Sequence, residues 1–272
     1  MLTFSISVTE IAASLWRNRS LVRALIQREV VGRYRGSFMG ILWSFFNPLL
    51  MLVIYTFVFS VVFKSRWGTG SESKTEFALI LFAGLILFNL FSECVNRAPV
   101  LIVANANYVK KVVFPLEILP WVSLGSALFH FGVSLTVWLS AYLILFGVPH
   151  PTVFLLPAIL MPLVLFTIGL TWFLAALGVY LRDVAQMTGI LTSILMFLSP
   201  IFYPVSALPE KFRALLLLNP LTLVIEQVRD VMFWGVVPNL GLYLAYLAGA
   251  FFMAWIGFAF FQKSRKGFAD VL

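Results

Sequence analysis

The sequence predicts an all-α integral membrane protein. It should have six transmembrane helices, an N-terminal amphipathic helix in the membrane interface, and short re-entrant or extracytoplasmic helices between spans five and six. Three observations carry this expectation. Of 272 residues, 61% are hydrophobic and only 11% charged, with a mean hydropathy of +1.00; soluble domains carry about 25% charged residues. The charges are confined to short links. Between Glu117 and Arg182 there is no Asp, Glu, Lys or Arg. Such a stretch cannot face water, so its backbone must pair with itself in helices while its side chains face lipid or one another.

Residues Thr9 to Tyr34 form the predicted amphipathic helix. Ser7 and Glu10 have capping-box spacing. Val22, Leu25, Ile26 and Val30 share one face, while Arg19, Arg23 and Gln27 share another. Trp16, Arg33, Tyr34 and Arg35 are the expected interfacial residues, since basic and aromatic side chains beside a span favour the headgroup region. A plain cytoplasmic helix is the alternative.

Span one is expected from about Phe38 to Phe63. The uncharged stretch between Arg35 and Lys64 reaches about 42 Å against a hydrocarbon core of about 30 Å, so it tilts or enters early. A polar loop from Lys64 to Glu76 follows, then span two from about Phe77 to Asn96, with Glu93 near its end. Arg97 to Lys111 reads as a polar, partly helical link. Span three runs from about Leu116 to Phe146 and ends in the turn signal Gly147 to Pro151. Span four runs from about Phe154 to Tyr180, and Leu181 to Asp183 links it to span five, about Val184 to Pro200.

Phe202 to Trp234 differs in kind. It holds Pro204, Pro209 and Pro220, and its apolar run from Ala214 to Ile225 is too short to cross a bilayer. Two short helices that dip into or rest on the membrane are expected there. Span six follows from about Leu240 to Phe261. Residues 1–37 thus form the interfacial segment, 38–262 the membrane domain and 263–272 a cytoplasmic tail. With the N-terminus inside, the inside links hold 13 of the 19 Lys and Arg residues. That bias favours both termini in the cytoplasm, with the first span inserting as an uncleaved anchor.

Small residues recur in span six at Gly241, Ala245, Gly249 and Gly257, a spacing that lets another helix approach closely, within the chain or from a second copy. Gly36 and Gly40 at the mouth of span one are read as a packing pair or as the bend out of the interface.

Composition also excludes several functions. The net charge of +8 sits beside apolar spans, where it serves topology and not nucleic-acid binding. One cysteine, Cys94, allows no disulfide or thiolate metal site within the chain, and His130 and His150 are isolated. Phosphate-binding loop, dinucleotide and zinc-protease motifs are absent, so no metal or cofactor is expected in this chain. The scarcity of ionisable groups inside the spans weighs against ion-coupled transport and against a membrane-embedded enzyme acting on lipid-linked sugars. Any energy for transport should therefore come from a partner. The aromatic content, with 28 Phe, 8 Trp and 8 Tyr, reads as lipid-facing bulk or as a channel lining on which sugar rings slide. Tyr55, Phe59, Phe63, Phe197 and Phe202 are the lining candidates, and Phe251, Trp255 and Phe258 form a further aromatic face in span six.

Local strings then carry a resemblance. Arg33-Tyr-Arg-Gly-Ser37 with Gly40, Trp43 and Pro48, the run Asn105 to Pro120, Tyr180 to Asp183, Ser199 to Pro204, Leu208-Pro209 and Asn219-Pro220 with Glu226 and Arg229 occur in order over nearly the whole chain. Together they resemble the ABC-2 type permeases that export polysaccharides. The resemblance implies a homodimer in the bacterial inner membrane with two copies of an ATP-binding subunit that carries ATP and Mg, and a lipid-linked polysaccharide cargo. O-antigen is the expected cargo; capsule, teichoic acid, lipid or drug are alternatives. It further implies that Asn105, Tyr108, Lys110, Lys111, Phe114, Pro115 and Glu117 couple to the ATPase, with Arg182 and Asp183 as a second contact. By the same resemblance Pro200, Tyr203, Pro204, Pro209, Asn219, Pro220, Glu226 and Arg229 belong to an outer gate. The alternatives are positive-inside lysines, a self-satisfied charge pair at Arg182-Asp183, and a structural hairpin in which Glu226 and Arg229 pair at i, i+3.

Overall fold

The computed structural model describes residues 5–59, 74–110, 114–216 and 219–272. Every regular element among them is helical. In chain order they are α1 (Val8–Arg17), α2 (Arg19–Tyr34), α3 (Trp43–Phe57), α4 (Lys74–Leu101), α5 (Ala106–Lys110), α6 (Leu119–Phe146), α7 (Leu156–Tyr180), α8 (Val184–Leu198), α9 (Glu210–Leu216), α10 (Pro220–Arg229), α11 (Leu240–Ser264) and α12 (Phe268–Val271).

Among the described residues, five segments are long and apolar enough to cross a membrane: Gly40–Phe57, Thr75–Leu101, Leu116–Phe146, Pro151–Tyr180 and Leu240–Val271. They match expected spans one, two, three, four and six. The expected fifth span is instead α8, an apolar helix of 15 residues. At 1.5 Å per residue it covers about 22 Å, short of a core of about 30 Å. Backbone continues past it as Ser199 to Tyr203 in bends and turns.

The expected single N-terminal helix is two. Ser7 caps α1 by accepting from the Thr9 amide, and Glu10 pairs with Arg17 at 2.6 Å instead of closing a capping box. Asn18, at φ −104° and ψ 17°, breaks the helix, and its side chain donates to the Ser14 carbonyl at 2.8 Å. The apolar face of α2 is the one expected. Val22 and Leu25 are buried against Ile118 and Val122 at the root of α6, with Ile26 packed beside them. Gly36 and Gly40 both take positive φ, 85° and 53°, with open space around them, so they make the bend into α3.

α4 is the buried centre of the bundle, touching α3, α6, α7, α8 and α10. It runs one turn further than expected, through Pro99 to Leu101. Neighbouring helices can re-satisfy the group a proline frees, which explains its tolerance there. α7 and α11 form the tightest helix pair. A Cβ at Gly257 would lie 1.9 Å from the Gly169 carbonyl oxygen, so only glycine fits this crossing. The contact face of α11 is Ala250, Ala254, Gly257 and Phe258. The stripe expected at Gly241, Ala245 and Gly249 does not make this contact, since a Cβ at Gly249 would meet nothing within 4 Å. The aromatic face expected in α11 also divides. Phe251 and Trp255 are exposed, whereas Phe258 is buried with its ring 5.0 Å from Trp172.

Replacing Gly257 with Ala should force α7 and α11 apart at an overpacking cost of about 1–3 kcal/mol. The expected result is a lower thermal midpoint and less monodisperse protein in detergent. Gly249→Ala should leave both unchanged.

Candidate functional site

A cavity of about 510 Å³ opens between the end of α2 and the helices α3, α4 and α6. α4 supplies its polar wall. Asn89, Ser92, Glu93, Asn96 and Arg97 recur at i, i+3, i+4, i+7 and i+8, so they fall on one face of a helix whose other faces are packed. Ser44 and Asn47 of α3 and Ser134 of α6 face them, and Tyr55, Phe82 and Phe131 add aromatic surface. From Phe82 to Arg97 the wall extends about 22 Å along α4. Polar side chains are costly in a membrane unless they face a water-filled space or a partner, and that makes this face the candidate functional surface. Asn96 extends it toward α8 by accepting from the Thr192 hydroxyl at 3.0 Å. The outward side of α8 there presents Gln186, Gly189, Ser193 and Phe197.

One end of the cavity is closed by ions. Arg33 pairs with Glu93 at 2.7 Å and Arg97 with Glu29 at 2.6 Å, which joins α2 to α4 by two reciprocal bridges. Tyr34 lies beside them, its hydroxyl 3.4 Å from His130 Nδ1. Of the expected interfacial residues, Arg33 and Tyr34 therefore belong to this wall. Trp16 is 71% exposed, with the Arg19 guanidinium 4.5 Å above its ring, and Arg35 is exposed.

Three of the expected channel aromatics meet at the opposite end. Phe202 stacks with Phe59 at 6.1 Å and with Phe197 at 6.0 Å. Tyr55 stands one turn below Phe59 on the cavity wall. Phe63 lies outside the described residues.

A buried guanidinium ties the turn after α8 to the central helix. Arg229, 2% exposed, donates to the carbonyls of Ile80 at 3.1 Å, Pro200 at 2.5 Å and Ile201 at 2.9 Å. Gly84 makes the room: a Cβ there would lie 2.8 Å from Arg229 Nη2. Asn219 caps α10 through the Leu221 amide and also donates to the Ser199 hydroxyl at 2.9 Å. Pro220 opens α10, and its carbonyl accepts from the Tyr246 hydroxyl. The Tyr203 hydroxyl lies 3.2 Å from the carbonyls of Phe197 and Leu198. Pro204 precedes the turn Val205–Ala207, and Pro209 precedes α9. Glu226 and Asp230 line a smaller cavity of about 310 Å³ beside Arg229. Two short helices, α9 of 7 residues and α10 of 10, occupy this region.

The opposite end carries the expected coupling residues. The Asn105 amide donates to the Leu101 carbonyl at 2.8 Å, and Tyr108 stacks on Phe114 at 4.3 Å while accepting from Arg28 at 3.1 Å. Lys110 is exposed, and its ammonium donates to the Leu272 carbonyl. Lys111 lies outside the described residues. Pro115 precedes a single turn, Leu116–Ile118, that leads into α6. Glu117 is only 6% exposed and pairs with Arg265 at 2.5 Å, while Arg265 also donates to the Phe114 carbonyl at 2.7 Å. Arg182 and Asp183 are exposed in the link between α7 and α8.

Sequence reasoning missed the α4 face and the docked tail. The first had a signal: polar residues at helical spacing in span two. Asn and Ser carry no charge, so a reading built on ionisable groups passed over them. The tail had none, because Arg265 and Glu117 are far apart in the chain.

The chain matches the family described as ABC-2 type transporter over residues 20–233. It is 30% identical over 258 residues to the O-antigen export system permease protein RfbA of Myxococcus xanthus, covering 94% of this chain and 96% of that one. A protein of the same description from Klebsiella pneumoniae is 28% identical over 254 residues, covering 93% and 95%. The polysialic acid transport protein KpsM of Escherichia coli is 27% identical over 234 residues, covering 84% and 86%.

Arg265→Ala should strand the Glu117 carboxylate and cost about 3–5 kcal/mol, the usual penalty for breaking a buried pair from one side. Glu117→Gln/Arg265→Met should cost less than that single change, as read by thermal unfolding in detergent. Arg229→Lys loses the fork that serves three carbonyls; at about 1–3 kcal/mol per carbonyl left unpaired, it should be comparably damaging.

Proposed function

The chain belongs to the ABC-2 type transporter family, and from that premise we propose that it is the transmembrane permease subunit of an ATP-driven exporter of lipid-linked polysaccharide, with O-antigen as cargo. The observation that carries this reading is similarity to O-antigen permeases along nearly the full length of both chains. The polar face of α4 supports it, because a glycan crossing a bilayer needs a hydrogen-bonding wall that lipid cannot supply. Capsule polysaccharide is the second cargo considered, on the similarity to the polysialic acid protein over a smaller share of the chain.

In this reading two copies of the chain stand in the bacterial inner membrane with both termini in the cytoplasm. α8 together with the bends after it makes the fifth of six crossings, α1 and α2 lie in the cytoplasmic interface, and α9 and α10 dip into the outer leaflet. Two copies of a separate subunit bind ATP and Mg. Their closure pushes on Tyr108, Lys110 and Lys111 of the first link and on Arg182 and Asp183 of the second. Asn105, Phe114, Pro115 and Glu117 hold the first link to its helices. The push reaches α4 and α6, the copies shift at their seam, and the polymer slides between the α4 faces and past Tyr55, Phe59, Phe63, Phe197 and Phe202. The segment from Pro200 to Arg229 closes the outer mouth between cycles, Arg229 acting as its latch.

Purification of the tagged chain from its native membrane after crosslinking tests the assembly. A stoichiometric partner with a phosphate-binding loop and ATPase activity is expected; recovery of the chain alone would sink the exporter reading. Replacing Tyr55 and Phe59 together by Ala should cut polymer export at least several-fold at unchanged complex yield, measured as surface polysaccharide per cell. Unchanged export would remove these two residues from the channel.

A further inference from the structure

The charge inventory of the α4 cavity goes further than its polarity. Its ionic groups are Arg33, Arg97 and Glu93, and both guanidiniums are already engaged, Arg33 by Glu93 at 2.7 Å and Arg97 by Glu29 at 2.6 Å. Arg97 also lies 3.7 Å from Glu93. Two guanidiniums thus face two carboxylates, and each guanidinium has its own carboxylate partner. The rest of the wall combines amides and hydroxyls from Asn47, Asn89, Asn96, Ser92 and Ser134 with the His130 imidazole and apolar and aromatic surface such as Met51 and Tyr55. The adjoining face of α8 is equally uncharged, since no Asp, Glu, Lys or Arg occurs from Val184 to Leu198.

We infer that this cavity is a subsite for an uncharged glycan and discriminates against polyanionic polymers. The inference rests on the exporter reading and narrows its substrate. A sugar ring offers hydroxyls that both donate and accept, which side-chain amides and hydroxyls match, and C–H faces that pack on aromatic rings. A carboxylate or phosphodiester on every repeat would have to leave water for a wall whose two guanidiniums are already paired. It gains a partner only if Arg33 or Arg97 releases Glu93 or Glu29, which strands a like charge beside the polymer. Neutral chains meet neither obstacle. The ionic ladder then holds α2 on α4 and keeps both guanidiniums neutralised, so that anionic repeats find no anchor.

The test uses the purified permease–ATPase complex in proteoliposomes with two lipid-diphosphate-linked oligosaccharides of equal length. One is built of hexose and N-acetylhexosamine alone, and the other carries a carboxylate in each repeat. The neutral glycan should cross at least tenfold faster. Glu93→Gln, which leaves the ladder one positive charge in excess, should shift the rate ratio toward the acidic glycan by at least threefold. So should Asn89→Lys, a separate change on the same wall. Equal rates for the two glycans, or ratios unmoved in both variants, would overturn the inference alone. Movement of neither glycan by a complex that hydrolyses ATP would overturn the glycan-export reading with it.

Discussion

The structure depends on one requirement: a backbone carbonyl or amide away from water must find a hydrogen-bond partner within the protein. Helices meet it along their length and fail at their ends. The severest failure is at Ser199 to Tyr203, where α8 stops after 15 residues and the chain turns before α9 and α10. Arg229 meets it there. A planar guanidinium with five N–H donors serves Pro200 and Ile201 of the turn and Ile80 of the central helix at once. A lysine has the charge without the fork. Gly84 leaves the space that the guanidinium fills, and α10 is wedged against α4 and α7 to bring it there. The short α8, the wedged α10 and the glycine on α4 are consequences of one contact.

The other end of the bundle solves a different problem. Its links are polar and charged, and the helices they join would drift apart if each charge were merely solvated. Instead Glu29 and Arg33 of α2 meet Arg97 and Glu93 of α4, and Glu117 at the root of α6 meets Arg265 after α11. The second pair is the more buried and the more consequential, since neither partner survives alone in that setting. It also changes the meaning of the last residues. Phe268 is fully buried, its ring 5.5 Å from Phe261, and the Tyr180 hydroxyl donates to the Ser264 carbonyl at 2.7 Å. These last residues pack as a strap across the ends of α5, α7 and α11. The residues before α6 are thus tied to the bundle at Phe114, Glu117 and Lys110.

Between these two fixed ends, α4 keeps one face unpacked. Its neighbours α3, α6, α7, α8 and α10 cover the rest. The open face is the polar one, and it runs from the ion pairs at one end toward the aromatic stack of Phe59, Phe202 and Phe197 at the other. A hydrogen-bonding wall followed by an aromatic collar suits a ligand that is polar on its edges and apolar on its faces, as sugar rings are.

Much of this was legible in the sequence because solvent class is a local property. A residue's tolerance of lipid is set by its own side chain, so runs of apolar residues located five of the six expected spans, and Gly147 to Pro151 and Leu181 to Asp183 marked links between helices. The apolar face of α2 was legible for the same reason, as a pattern with helical period. The break at Asn18 was not, because the residues on either side of it both favour helix. The tertiary structure alone decided which polar residues share a surface and which charges find one another. Arg229 meets Ile80, Arg265 meets Glu117 and Arg33 meets Glu93 across 149, 148 and 60 positions of chain. Sequence spacing carries no trace of such pairs, because they form only when packing has removed the water that would otherwise have satisfied each group by itself.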